Sequence, residues 1–152
     1  MKKNSIIAFV VITTILFVSC KSHPYDEEEL GNGYYYLSAL EAVDIGYMGG
    51  SMIYHSSKLN VFDDIIIKSG IVEVNKDKDF VLIGQNMQQK DLDISKTSYY
   101  FWIINKSENA VYGPLLFNDY LTKKKELRVS NKLSLRSEKS TLNIKNLNNR
   151  II

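Results

Sequence analysis

Few residues in this chain have side chains suited to covalent, acid–base or metal chemistry. There is one cysteine, Cys20, and two histidines, His23 and His55, too few for a histidine-based zinc site. The adjacent carboxylates Asp63 and Asp64, with a third acid brought in from elsewhere, could serve a hydrolase. Asn75, Asp77 and Asp79 alternate like the start of a calcium loop. That reading fails at Phe80, where the sixth position needs Gly, and at Asn86, where the twelfth needs Glu. Gly46, Gly49 and Gly50 lack the lysine and the spacing of a phosphate-binding loop. These observations predict no catalytic residue, no metal and no cofactor, and they give His55 a structural role.

Cys20 is different, because its setting has a pattern. Lys2 and Lys3 open the chain, residues 6–18 are apolar apart from Thr13 and Thr14, and small Ser19 directly precedes the cysteine. A positive start followed by a short apolar run reads as a secretory signal, too short to span a bilayer comfortably. A lone cysteine in an exported chain cannot form an internal disulfide.

The run Leu16-Phe17-Val18-Ser19-Cys20 resembles the lipobox of bacterial lipoproteins, with Phe17 where that family prefers Leu. The resemblance implies a diacylglycerol on the Cys20 thiol and cleavage between Ser19 and Cys20. Each acyl chain contributes about 0.8 kcal/mol per buried CH₂, so two or three of them hold a small domain at a membrane. The acids Asp26, Glu27, Glu28 and Glu29 resemble the surface-export signal of lipoproteins in the Bacteroidota. In that pattern the acids begin closer to the cysteine than Asp26 does.

The resulting organisation is a signal over residues 1–19, a lipidated acidic tether over 20–33, one globular domain over 34–136 and a weakly structured tail over 137–152. Without its leader the chain carries equal numbers of acids and bases, with a net charge of −6 over residues 20–97 and +6 over 98–152. Interleaving of the two signs in space is the simpler expectation, and an exported domain gives no reason to expect nucleic acid.

Abundant β-branched and aromatic residues predict an α+β domain. It consists of an antiparallel sheet of hairpins with one helix from the C-terminal half packed on it, beside the cleaved signal helix. Residues 34–37 open as a strand. Residues 42–48 and 51–56 read as strands joined by a Gly49-Gly50 hairpin. Residues 71–74 and 80–83 form a second hairpin, with 65–67 extending its first arm and Gly70 at a break. Residues 85–97 read as a polar loop.

The run Tyr99 to Ile104 is bulky on both alternating faces, which predicts a central strand covered on both sides, with Trp102 largely buried. Gly113-Pro114 is expected to break the returning strand, and a helix to run from Leu115 to about Arg128 with Lys124 snorkelling at its margin. Leu133 and Leu135 suggest a short edge strand.

The order Tyr99 to Ile104, a turn, Val111-Tyr112-Gly113-Pro114-Leu115 and a helix containing Phe117 resembles a family of small bacterial lipoproteins classed as a domain of unknown function. The resemblance brings a strand, hairpin and helix order but no activity. Together the residues predict a lipid-anchored protein of the bacterial envelope, at the outer membrane or cell surface and monomeric. Its expected role is non-enzymatic binding of an envelope or extracellular protein or glycan. The alternatives are a small carboxylate-dependent hydrolase and a protective, immunity-type envelope protein.

Overall fold

The computed structural model describes residues 28–58, 61–88 and 97–148. The signal segment, Ser19, Cys20, Asp26 and Glu27 lie outside the described residues, as do residues 89–96 of the expected polar loop.

The fold is α+β, with two four-stranded antiparallel sheets. The first sheet contains β1 (Glu28–Gly31), β2 (Tyr34–Leu37), β3 (Met52–His55) and β4 (Asp64–Ile67), in that order. The second is a meander of β5 (Ile71–Lys76), β6 (Phe80–Gln88), β7 (Thr97–Asn105) and β8 (Ala110–Leu115). Among the described residues three helices accompany the sheets: α1 (Ala39–Asp44), α2 (Phe117–Glu126) and α3 (Arg136–Asn148).

Period-two alternation along β6 and β7 determines the layering. Val81, Ile83 and Ile104 share a core with Leu30, Tyr34, Ile53 and Ile67 of the first sheet, so the two sheets pack face to face. Leu82, Phe101 and Ile103 point the other way, onto Tyr120, Val129, Leu133 and Leu135. The second sheet is therefore covered on both sides, as the bulk of β7 demands. A third cluster, Leu37, Ala42 and Met52 with Phe62 and Ile65, packs α1 onto the outer face of the first sheet.

Several local expectations are corrected. Residues 42–48 do not form a strand. Ser38 and Glu41 make a reciprocal capping box, with Ser38 N–H donating to Glu41 Oε2 at 3.1 Å and Glu41 N–H to Ser38 Oγ at 3.4 Å. This satisfies two of the donors orphaned at a helix start and begins α1 instead. With α1 in place, Gly49-Gly50 cannot be a hairpin, and β3 pairs with β2 and β4.

Residues 65–67 belong to the first sheet, not to the β5 arm. Gly70 lies at the passage between the sheets with φ +67°, and a Cβ there would sit 2.0 Å from Asn86 O, so only glycine fits. The polar residues 85–88 continue β6 and pair with β7 as far as Gln88 opposite Thr97. Backbone pairing prevails over side-chain polarity there.

Pairing also carries β8 through Gly113-Pro114 to Leu115, which pairs with Phe101, so α2 begins two residues later than expected. A Cβ on Gly113 would lie 2.5 Å from the Trp102 ring. Trp102 is half-buried, and its indole N–H donates to Gln85 Oε1 at 2.8 Å. Gln85 Nε2 in turn donates to Ser69 O at 2.7 Å, fastening the passage between the sheets.

Two further segments are more ordered than the sequence suggests. Within the expected tether, Glu28 and Glu29 lie in β1 opposite Tyr36 and Tyr35, and Glu28 pairs with Lys76 at 3.1 Å. In the expected tail, the 136–148 stretch is α3, and Leu133 and Leu135 are buried under it rather than forming an edge strand. Glu73 caps this helix from β5, accepting from Ser137 N–H at 3.2 Å and from Ser137 Oγ at 3.1 Å.

The charges do not interleave. Residues 28–68, which form the first sheet and α1, carry six acids and two bases. Residues 116–148, on the far side of the second sheet, carry eight bases and three acids. Layering in chain order keeps the two signs on opposite sides of the molecule.

One buried cation joins three turns. Lys106 is 6% exposed, and its ammonium donates to Leu30 O at 2.9 Å and to Asp77 O. Its carbonyl accepts from Asn32 Nδ2, and its N–H donates to Asp79 O at 2.9 Å. Lys106→Met leaves two acceptors without their donor. It should lower the free energy of unfolding by about 1–3 kcal/mol, measured by equilibrium urea denaturation.

Candidate functional site

A group of buried polar side chains lies between α2 and α3. The last turn of α2 is closed by Arg128 at φ +56° and by Val129 N–H donating to Lys124 O at 3.0 Å. That closure turns the chain back so that α3 lies beside α2. Tyr120 and Lys124, four apart on one helical face, then meet Glu138 in the first turn of α3.

Lys124 Nζ lies 2.8 and 2.9 Å from the two Glu138 carboxylate oxygens. Tyr120 OH donates to Glu138 Oε2 at 3.0 Å, and Leu135 N–H approaches the same oxygen at 3.4 Å. Lys124 and Glu138 are each 6% exposed and Tyr120 is fully buried. Lys124 is thus an internal ion-pair partner, not a snorkelling side chain at the margin. Burial raises the Tyr120 hydroxyl far above its ordinary value, and the Glu138 charge adds to that effect.

The Glu138 oxygens face an ammonium, a phenol and a backbone N–H, so most of the acceptor sites of the carboxylate are engaged within the domain. An open cleft of about 390 Å³ lies over this group, lined by Lys125, Arg128, Ser130 and Asn131 beside Lys124 and Glu138. A second cleft, of about 540 Å³, lies between β5 and residues 134–136, where Glu73, Asn75 and Arg136 line it. Glu73 is engaged by Ser137 and Asn75 Nδ2 donates to Ser134 O at 2.9 Å.

The residues singled out from sequence are scattered. Asp63 accepts from Ser56 Oγ at 2.8 Å, while exposed Asp64 sits on edge strand β4 opposite His55. The His55 ring meets Tyr34 edge-on at 4.7 Å. Asp77 Oδ1 accepts from the N–H groups of Asp79 and Phe80 at 2.9 and 2.8 Å, making the β5–β6 turn. Among the described residues, no group of three or more His, Cys, Asp or Glu is arranged to hold a metal ion.

Abundant tyrosine offers contact area for a binding face, but these side chains are used in different places. Tyr34 is buried and donates to Asn109 Oδ1 at 2.7 Å, and fully buried Tyr54 stacks on Tyr35 at 5.2 Å. Tyr47 donates to Lys68 O at 2.9 Å, and Tyr112 lies under the Lys123 ammonium at 5.3 Å. Sequence reasoning missed Tyr120, Lys124 and Glu138 as a unit. The available signal was Glu138 three residues after Leu135, the acid of half a capping box.

A protein family described as a protein of unknown function, DUF3997, matches residues 32–145. The chain belongs to this family. The matched region runs from the β1–β2 turn into α3, so it includes the second sheet, the first sheet without β1, and the Tyr120–Lys124–Glu138 group. No curated protein and no solved structure matches the chain. The described helices include none long and apolar enough to cross a membrane.

Two expectations follow from this geometry. Glu138→Ala strands the Lys124 ammonium and should cost about 3–5 kcal/mol of stability, whereas Lys124→Met combined with Glu138→Leu should cost far less. Chemical denaturation of both variants checks this.

The second expectation concerns pH. Burial is the leading cause that raises the hydroxyls of Tyr34, Tyr36, Tyr99 and Tyr120 above the ordinary value of 10.0. The unfolded chain then loses these protons first. Their contribution is complete below about pH 10 and is lost as pH rises above it. Lys106 acts in the opposite sense: burial lowers its ammonium from 10.5, so stability rises with pH through the window just beneath that value. Alkaline titration followed by tyrosinate absorbance should show Tyr120 ionising only as the protein unfolds.

Proposed function

We propose that this family member is an exported lipoprotein, anchored to the bacterial envelope through Cys20, whose domain binds a partner and turns nothing over. The observation that carries the anchoring is Ser19-Cys20 closing the apolar run of residues 6–18 behind Lys2 and Lys3. The thiol chemistry of lipidation needs a cysteine at such a boundary, and the chain has no other.

Binding rather than turnover is supported by how the ionisable groups are used. Glu138 is surrounded by donors, Glu73 caps α3, Asp63 holds Ser56, and Asp77 holds its own turn. Each carboxylate makes an internal contact, which suits a rigid scaffold better than an acid–base pair. The partner we assign is an envelope or extracellular protein or glycan, met by a monomer confined near the membrane. Asp26 and Glu27, ahead of the paired Glu28 and Glu29, are the acids left to act as a surface-export signal.

Cell fractionation tests the anchor. Cys20→Ser should shift the protein from the membrane pellet to an uncleaved or soluble form, and a processed, membrane-bound variant would refute the reading. In the same cells, Asp26→Ala with Glu27→Ala should abolish protease accessibility on intact cells while leaving the protein in the pellet. Steady turnover of a glycan, peptide or ester that is lost in Asp63→Asn would replace binding by hydrolysis.

A further inference from the structure

The first sheet places its entry strand and its most exposed apolar residues at the same end. Glu28, where β1 begins, pairs with Tyr36, and β2 ends one residue later at Leu37. Ser38 then caps α1 directly, so the chain enters the domain beside this helix. The neighbourhood has a second signature: after burial, the charges of Glu41 on α1 and of Glu28 on β1 are what raise the Tyr36 hydroxyl.

The inner side of α1 is used for packing, since Ala42 is fully buried against Leu37 and Met52. Its outer side has no such partner among the described residues. Leu40 is 83% exposed, Val43 three residues on is 51% exposed, and Met48 in the following turn is 83% exposed. Leu40 and Val43 share one helical face. Three large apolar side chains within nine residues, displayed beside the point of chain entry, have no explanation in the stability of the fold.

We infer that Leu40, Val43 and Met48 form a membrane-docking tip that inserts into the interfacial region of an uncharged or zwitterionic bilayer when the chain is anchored at Cys20. This rests on the anchoring proposed above, and chain length supports it. Eight peptide steps separate Cys20 from Glu28, giving a reach of at most about 29 Å at roughly 3.6 Å each. An anchored domain is therefore held with this end close to the lipid. Insertion of a few apolar side chains is ordinary interfacial behaviour, and the anchor supplies the confinement that makes a small patch sufficient.

The charges select the lipid. Glu41 and exposed Asp44 accompany the apolar residues on α1, and that helix carries no base. Anionic headgroups would repel them. Eight basic residues lie across the second sheet, in residues 116–148, whereas residues 28–68 carry two, of which Lys68 lies beside the tip through its carbonyl, which accepts from Tyr47 OH at 2.9 Å.

The test uses the full lipidated chain in vesicles of phosphatidylcholine and phosphatidylethanolamine whose acyl chains carry bromine. Met48→Trp places an indole at the tip, and its emission is read against the wild type, whose Trp102 is the background. The added indole should emit to the blue of a water-exposed one and be quenched by bromine. Quenching should weaken when phosphatidylglycerol becomes the main lipid. Leu40→Ser with Val43→Ser in the Met48→Trp background should abolish the quenching, with thermal unfolding confirming an intact fold.

Unquenched, water-exposed emission from protein that still sediments with the vesicles would overturn the docking tip and leave the anchor standing. A blue-shifted but unquenched indole would assign the patch to contact with a second copy of the chain, and would overturn it equally. Cosedimentation of Cys20→Ser at the wild-type level would instead remove the anchor, which quenching at Met48→Trp does not measure.

Discussion

The architecture depends on an ammonium group held away from water. Lys106 follows β7 at the start of the β7–β8 turn, yet its side chain reaches a carbonyl near the end of β1 and one in the β5–β6 turn, one in each sheet. Two face-packed sheets joined by a short passage at Gly70 could slide over an apolar interface, because hydrophobic burial has little directionality. Hydrogen bonds from a single cation to fixed carbonyls do have direction. Tyr34 adds a bond from the first sheet to Asn109, beside Lys106. Burial lowers the Lys106 pKa, which is the cost of desolvating the charge.

The opposite face of the second sheet meets a similar problem with an ion pair. Phe101, Ile103 and Leu82 offer α2 and α3 a flat apolar surface that sets their distance but not their rotation. Glu138 sets the rotation: its carboxylate has to meet Lys124 and Tyr120 together, which is possible only with α3 turned one way and Leu135 packed beneath. Glu73 fixes the start of the same helix from β5. A buried pair of this kind adds little net stability over an apolar substitute, and its effect is to select one arrangement among several of similar burial. Both polar clusters therefore act on register rather than on the total burial that holds the layers together.

What could be read from the sequence was whatever depended on local periodicity. Tyr99 to Ile104 announced a strand covered on both faces, and the β5–β6 hairpin followed from two apolar runs around Asn75 to Asp79. The fold class followed from composition. What could not be read depended on partners distant in sequence. Gln85 to Gln88 look like loop until β7 supplies pairing, and Pro114 looks like a strand end until Leu115 is seen opposite Phe101. Glu28 and Glu29 look like solvated spacer until Tyr35 and Tyr36 lie beside them. Two misses had local signals that were available. Ser38-Ala39-Leu40-Glu41 spells a capping box, and Glu138 sits where the first turn of a helix favours an acid. The Lys106 pin and the Lys124–Glu138 pair had no local signal, because nothing near a lysine in sequence shows that its ammonium will be buried.

These constraints bear on where function can reside. Residues that fix register cannot easily change, since Glu138, Lys106 and Glu73 each hold several donors or acceptors at once. Residues on the outer side of α1 are under no such constraint, and stability alone would favour polar side chains there. Leu40, Val43 and Met48 are apolar despite that freedom, at the end where the chain enters the sheet. Glu41 nearby follows the capping rule; the three apolar residues follow none. A fold that assigns nearly every buried charge to internal order, and leaves large apolar groups exposed at its point of attachment, directs attention to that end rather than to its clefts. The two clefts are lined chiefly by side chains that already have partners within the domain, or by lysine and arginine at the C-terminal end of α2, where the helix dipole alone accounts for them.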